Sequence, residues 1–211
     1  MAESADNPEI YWVHPEQRGI FPLDGLKISH SVAKKMRQNL FQVTINQAFE
    51  QVISCCAAPR TPDGGTWINE NIKAAYTQLH EAGHAHSVEV WQEGVLVGGL
   101  YGVSLAAAFC GESMFHHVTD ASKIALVHLV AQLRLDGFTL LDTQYITPHL
   151  ASLGAIEISR ADYQARLKQA LEKPAVFAQQ PVRSSRAALH LALTGSYPDQ
   201  GLLNPQTDRQ G

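Results

Sequence analysis

The stretch from Ala85 to Gly111 constrains the fold most strongly. Its hydrophobic residues recur with a period of two over Ala85–Trp91, Val95–Val103 and Ala107–Gly111, with Glu93-Gly94 between the first two runs. Side chains alternate across a strand, and a two-residue turn ending in glycine closes a tight hairpin. Three successive antiparallel strands are therefore predicted in the middle of the chain. A helical pattern cannot be fitted to the same residues, because helical faces repeat every three or four positions.

Around this meander the period lengthens. Phe41–Ile45 reads as a strand. A helix capped by Asn46 is predicted through Ala57, with Phe49, Val52 and Ile53 on one face. Asp63-Gly64-Gly65 reads as a turn. A second helix spans about Asn69–Ala82, with Ile72, Ala75, Tyr76 and Leu79 in register and Gly83 as its stop. A third spans about Ala121–Asp136. Phe138–Asp142 is a further strand, 148–153 a short helical turn, Ala155–Ile158 a short strand, and Ser159 caps a last helix to about Glu172. Residues 1–35 are too punctuated by Pro8, Pro15, Gly19, Pro22 and Gly25 for long elements, except a short basic helix after Ser29 or Ser31. Residues 179–188 and 195–211 read as a loop and a frayed tail.

This order is that of an α+β protein with a mixed, mostly antiparallel sheet flanked by helices. It resembles the acyltransferase fold of GNAT-like acetyltransferases. The expected division is an N-terminal remnant over 1–35, a catalytic domain over 36–173, and a loop and tail over 174–211.

Composition narrows the function classes. A net charge of -4 excludes a protein that coats nucleic acid through its global field, so any nucleic-acid contact must be a local patch. Three cysteines, Cys55, Cys56 and Cys110, fit neither a zinc cluster nor a disulfide framework and point to a reducing compartment. No apolar run reaches membrane-spanning length, and no signal peptide is visible, so a cytoplasmic protein with no membrane partner is expected.

Three constellations invite chemistry. His80-Glu81-Ala82-Gly83-His84 matches the zinc-protease pattern, which needs both histidines on one helical face. With the helix stopping at Gly83, the imidazoles diverge, and no metal site is predicted. The stretch Glu112–Asp120 stands where an acetyl-CoA enzyme would carry a glycine-rich phosphate loop. It contains no glycine and two acids, which disfavours a diphosphate there. The third set is Glu112, placed at the end of one strand, and Asp142 with Gln144 at the end of another. Alternation puts Asp142 and Gln144 on one face; a buried Asp beside an amide, taken alone, reads as structural, satisfying a loop, whereas two acids at two strand ends favour a functional cleft. Trp67, after Gly64-Gly65, offers either a packing staple or a stacking surface for a base. His30, Lys34, Lys35 and Arg37 are either a solvated helix face or a phosphate-binding patch.

Taken together and in order, these stretches resemble the leucyl/phenylalanyl-tRNA–protein transferase family. The matching segments are Gly65–Ile68, Ala74–Tyr76, Leu79–Trp91, Leu96–Val103, Phe109–Phe115, Ala121–Lys123, Asp142–Gln144 and Ala151–Ala155, spread over about residues 9–170. The resemblance implies transfer of Leu, Phe or Met from aminoacyl-tRNA to the N-terminal Arg or Lys of an acceptor protein, marking it for N-end-rule degradation, by a monomer without cofactor. It implies that Trp67 stacks on the terminal adenosine and that Tyr76 positions it. Glu112 would hold the aminoacyl end, and Asp142 and Gln144 the attacking amine. Leu100, Phe109, Met114, Leu126, Leu129 and Leu141 would line the side-chain pocket. His30, Lys34, Lys35 and Arg37 would meet the tRNA backbone. Two departures stand out. Family members usually carry further N-terminal sequence with an aromatic that sandwiches the adenine, where this chain has Met1, so an upstream start is expected. Thr143 replaces a residue that is commonly a thiol.

Overall fold

The computed structural model describes residues 9, 13–59 and 66–197. Seven strands form one mixed sheet in the order β2-β3-β4-β5-β6-β1-β7. The strands are β1 (Gln17–Ile20), β2 (Gln42–Ile45), β3 (Ala85–Gln92), β4 (Val95–Leu105), β5 (Ala108–His116), β6 (Leu140–Gln144) and β7 (Ile156–Ser159). The helices are α1 (His30–Arg37), α2 (Phe49–Ala57), α3 (Glu70–Glu81), α4 (Ala121–Leu135), α5 (Pro148–Leu153), α6 (Arg160–Leu171) and α7 (Ser185–Thr194). The architecture is the α+β one anticipated, and every pairing is antiparallel except β5 with β6. No helix among the described residues is long and apolar enough to cross a membrane. The turn at 63–65, the aromatics Tyr11 and Trp12, Met1 and the tail beyond residue 197 lie outside the described residues.

Two layers of helix sandwich the sheet. One face carries Leu100, Phe109 and Leu141 against the almost wholly buried α4, which α1 and α7 cover in turn. The other carries Ala85, Tyr101 and Phe115 against α2 and α3. A smaller cluster joins Ile20, Ala108 and Leu140 to Ala170 at the end of α6.

Local chemistry explains most boundaries. Ser29 caps α1 by accepting from the Val32 N–H at 3.3 Å, which settles the choice between the two serines. Asn69 caps α3 through the Ile72 N–H at 2.8 Å, and Gly83 ends it at φ 79°, where a side chain would be strained. Asn46 does not cap α2. Its amide instead meets His86 and the Ser87 N–H, and the orphan N–H of Ala48 is taken by the buried carboxylate of Glu89, at 3.3 Å. The strand predicted at 138–142 runs later, over Leu140–Gln144.

Two elements were not foreseen. β1 sits in the segment that reads as irregular, yet it pairs with both β6 and β7. α7 occupies part of the expected loop. It buries Ala187, Ala188, Leu189, Leu191 and Ala192, mainly against α4.

Candidate active site

β5 and β6 run parallel only as far as the pair Cys110–Asp142. Beyond it they part, and a cavity of about 470 Å³ opens between them. That size suits a small ligand. Clefts of this kind form at the carboxyl ends of diverging parallel strands.

Two backbone irregularities shape the opening. On β4, Tyr101 faces Ser113 while the next residue, Gly102, faces Gly111, so Glu112 is the surplus residue of a β-bulge. Glu112 therefore lies within β5 rather than at its end, and the bulge turns its carboxylate into the cavity. On β6, Gln144 has φ 63°, which breaks the alternation of the strand. Its side chain consequently does not share the environment of Asp142. The Gln144 Nε2 donates to Glu112 Oε2 at 2.7 Å across the opening.

A carboxylate only accepts hydrogen bonds, so an ionised Glu112 fixes the Gln144 amide with its NH2 group inward. The amide oxygen is thereby turned away from Glu112. Burial pushes the Glu112 carboxyl above its ordinary range, while bonds from Gln144 and Tyr76 oppose that shift. Burial also raises the hydroxyls of Tyr76 and Tyr101, and the Cys110 thiol, pushed up to about 12. Each of these three groups stays protonated at neutral pH.

Asp142 is fully buried and does not line the cavity. It accepts from Arg18 Nε at 3.0 Å and Nη2 at 2.6 Å, from Tyr163 Oη at 2.8 Å, and from the Gln144 backbone N–H at 2.7 Å. Its contact with Gln144 is thus through backbone and not through the side-chain amide. The carboxylate ties β1, β6 and α6 together at the point where Gln144 turns left-handed.

Trp67, Leu100, Glu112, Met114, Leu126, Leu129, Leu141 and Gln144 all border the cavity. Tyr76 approaches it from α3, hydrogen-bonding Glu112 and meeting Tyr101 edge-on with ring centroids 5.3 Å apart. Phe109 is the exception among the expected pocket residues. It packs on Phe177 and Phe138 at 5.2 and 6.4 Å, outside the lining, because that aromatic cluster takes up its ring. His30, Lys34 and Arg37 are exposed on α1. Lys35 is instead engaged, at 2.8 Å from Asp120, which also binds Lys123. The histidines of the zinc-like motif are separated: His80 stacks on Phe49 at 4.3 Å and bonds the Ala85 carbonyl, while His84 lies past Gly83.

Sequence reasoning missed Arg18, Tyr101, Tyr145 and His149. The last three line the cavity. For Arg18 it was the pairing that left no signal, since its partner lies 124 residues away. Tyr101 was visible only as an apolar strand residue.

A family model described as "Leucyl/phenylalanyl-tRNA protein transferase" matches residues 20–168. The chain belongs to this family. The leucyl/phenylalanyl-tRNA–protein transferase of Rhodopseudomonas palustris strain TIE-1 is 55% identical over 182 residues, covering 86% of this chain and 81% of its own. That of Afipia carboxidovorans is 55% identical over 177 residues, covering 84% and 78%. This leucyl/phenylalanyl-tRNA–protein transferase family member is accordingly an aminoacyltransferase that uses a tRNA-borne residue to modify a protein. In overall shape the chain is only distantly similar to a GCN5-related N-acetyltransferase-like protein from Streptococcus suis, with a TM-score of 0.36 and 12% identity over 67% of this chain and 60% of that one.

Proposed function

We propose that the cavity takes the leucyl, phenylalanyl or methionyl end of an aminoacyl-tRNA and passes that residue to the N-terminal amine of an acceptor protein beginning with Arg or Lys. The observation that carries this reading is the Glu112–Gln144 bridge across a lining of Leu100, Met114, Leu126, Leu129 and Leu141, with Trp67 at its edge. An unbranched or γ-branched apolar lining suits unbranched and γ-branched side chains. Trp67 supplies the flat surface on which the terminal base stacks. Exposed His30, Lys34 and Arg37 meet the tRNA backbone, and Lys35 contributes while held by Asp120. The product enters N-end-rule degradation, and the enzyme works as a cytoplasmic monomer.

The chemistry exchanges an ester for an amide and needs no cofactor. The amine nitrogen attacks the ester carbonyl carbon, and the bond to the ribose oxygen breaks. The amine must first lose a proton, which finally resides on the departing ribose oxygen. The Gln144 amide oxygen, aimed by Glu112, accepts a hydrogen bond from the amine and orients its lone pair toward the carbonyl. Asp142 acts through Arg18 and the Gln144 backbone N–H, holding the left-handed turn that presents the amide. The proton travels through the vicinal ribose hydroxyl, because the Asp142 carboxylate is already saturated by its donors.

The test is transfer from charged leucyl-tRNA to a peptide with N-terminal Arg. Gln144→Ala is expected to lower kcat with tRNA affinity kept, and Trp67→Ala to weaken tRNA affinity. Wild-type protein that binds charged tRNA yet leaves the peptide unmodified would refute the reading.

A further inference from the structure

Among the described residues, two buried side-chain polar atoms lack any hydrogen-bond partner: Tyr101 Oη and Thr143 Oγ1. Both residues border the cavity that holds Glu112 and Gln144. Folded proteins satisfy nearly all buried polar groups, so each exception calls for a reason. Folding supplies none here. Phenylalanine at 101 and valine at 143 would fill the same space without leaving a desolvated hydroxyl unpaired.

Neither hydroxyl can readily turn elsewhere. The Tyr101 ring is fully buried and gripped edge-on by Tyr76 and Phe49, with centroids at 5.3 and 5.9 Å. Burial keeps its hydroxyl protonated and thus a donor. Thr143 is walled by Gly19, where an added Cβ would fall 2.9 Å from Oγ1. Each neighbours one end of the Glu112–Gln144 bridge. Tyr101 pairs with Ser113, next to Glu112, and Thr143 precedes Gln144.

We propose that Tyr101 and Thr143 are substrate-binding residues, the tyrosine donating to an oxygen of the aminoacyl-ribose ester and the threonine accepting from the incoming amine. This rests on the transfer reaction proposed above. It adds two neutral hydrogen bonds, one to each substrate, at the two ends of the bridge. An unpaired hydroxyl waiting in the free enzyme needs no internal bond broken when the ligand arrives.

The experiment compares wild type, Tyr101→Phe, Thr143→Val and Thr143→Ser. Melting temperatures are measured with and without a hydrolysis-resistant 3′-leucylamido-adenosine, and transfer kinetics with leucyl-tRNA and an N-terminal-Arg peptide. Tyr101→Phe is expected to melt at or above the wild-type temperature alone, to gain less from the nucleoside, and to lose roughly tenfold in kcat/KM for the tRNA. Thr143→Val loses a similar factor for the peptide with its response to the nucleoside unchanged, and Thr143→Ser recovers most of it. Variants that match wild type in both kinetics and nucleoside response overturn the proposal. So does a Tyr101→Phe protein that melts well below wild type, which would mean the hydroxyl has a partner within the fold. Absence of transfer by the wild type would instead count against the reaction itself, and the nucleoside-induced shifts would still judge Tyr101.

Discussion

Replacing Asp142 by asparagine separates a structural carboxylate from a chemical one. The donors that reach this side chain include two nitrogens of Arg18, the Tyr163 hydroxyl and the Gln144 N–H. Asparagine keeps one acceptor oxygen and turns the other position into a donor, which then faces donors. Arg18 also loses its countercharge. Breaking a buried ion pair costs about 3–5 kcal/mol. The Arg18 side chain retains 20% exposure, so water relieves part of that cost and the lower end, about 3 kcal/mol, applies. For a chain of this size, roughly 2–4 °C of melting temperature follows each kcal/mol, so Asp142→Asn should melt about 6–12 °C below wild type. Transfer should fall as well, because the Gln144 turn loses its anchor. A companion variant, Asp142→Leu with Arg18→Met, removes both charges and should regain much of the lost stability. Thermal unfolding followed by circular dichroism reads all of these. An Asp142→Asn protein that melts with wild type yet transfers nothing would refute the positioning role and point to this carboxylate as a proton acceptor.

Three further outcomes follow from the same coordinates. His128 is buried against Ser185 between α4 and α7, and burial lowers it from 6.5 to about 4. The unfolded chain therefore takes up a proton before the folded one, and this site should cost about 3 kcal/mol of stability as pH falls from 6.5 to 4. Denaturation across that range should show a weaker dependence in His128→Gln, the part due to His86, which burial also lowers to about 4, remaining. Gly102→Ala places a Cβ 2.4 Å from the Cys110 carbonyl oxygen and from the Phe109 ring, so the bulge must shift. A loss of about 2–3 kcal/mol in urea unfolding is expected, and an unaffected midpoint would mean the strand yields freely there. Glu112 is raised by burial, so it protonates at a higher pH than an ordinary glutamate and loosens its hold on Gln144. The acid side of the transfer profile should accordingly start to fall above the usual carboxylate range in wild type, and Glu112→Gln should lack that limb.

The meander was readable because each strand alternates over at least five residues and Glu93-Gly94 closes the hairpin. Most helices announced themselves through apolar spacing, and α1 and α6 also through their serine caps. What escaped was whatever depends on distant partners. Gln17–Ile20 is only four residues long, and its conformation comes from ladders to β6 and β7. α7 did leave a trace, since Ala187, Ala188, Leu191 and Ala192 fall at helical spacing after the cap Ser184, but the flanking Gln, Ser and Pro obscured it. Most residues that border the cavity were picked out by type and order, their arrangement less so. Strict alternation grouped Asp142 with Gln144, and the left-handed backbone at Gln144 parts them. Nothing local marks Glu112 as a bulged residue, because a bulge is a property of two strands.

That surplus residue has a bearing on how the protein can change. Deleting it would let β4 and β5 zip without a fault, with Ser113–His116 keeping their partners on β4, but would take the carboxylate out of the cavity. Natural drift toward a smoother sheet is therefore closed to this lineage at one spot. Length variation should accumulate in its loops while the one extra residue between Gly111 and Ser113 holds fast.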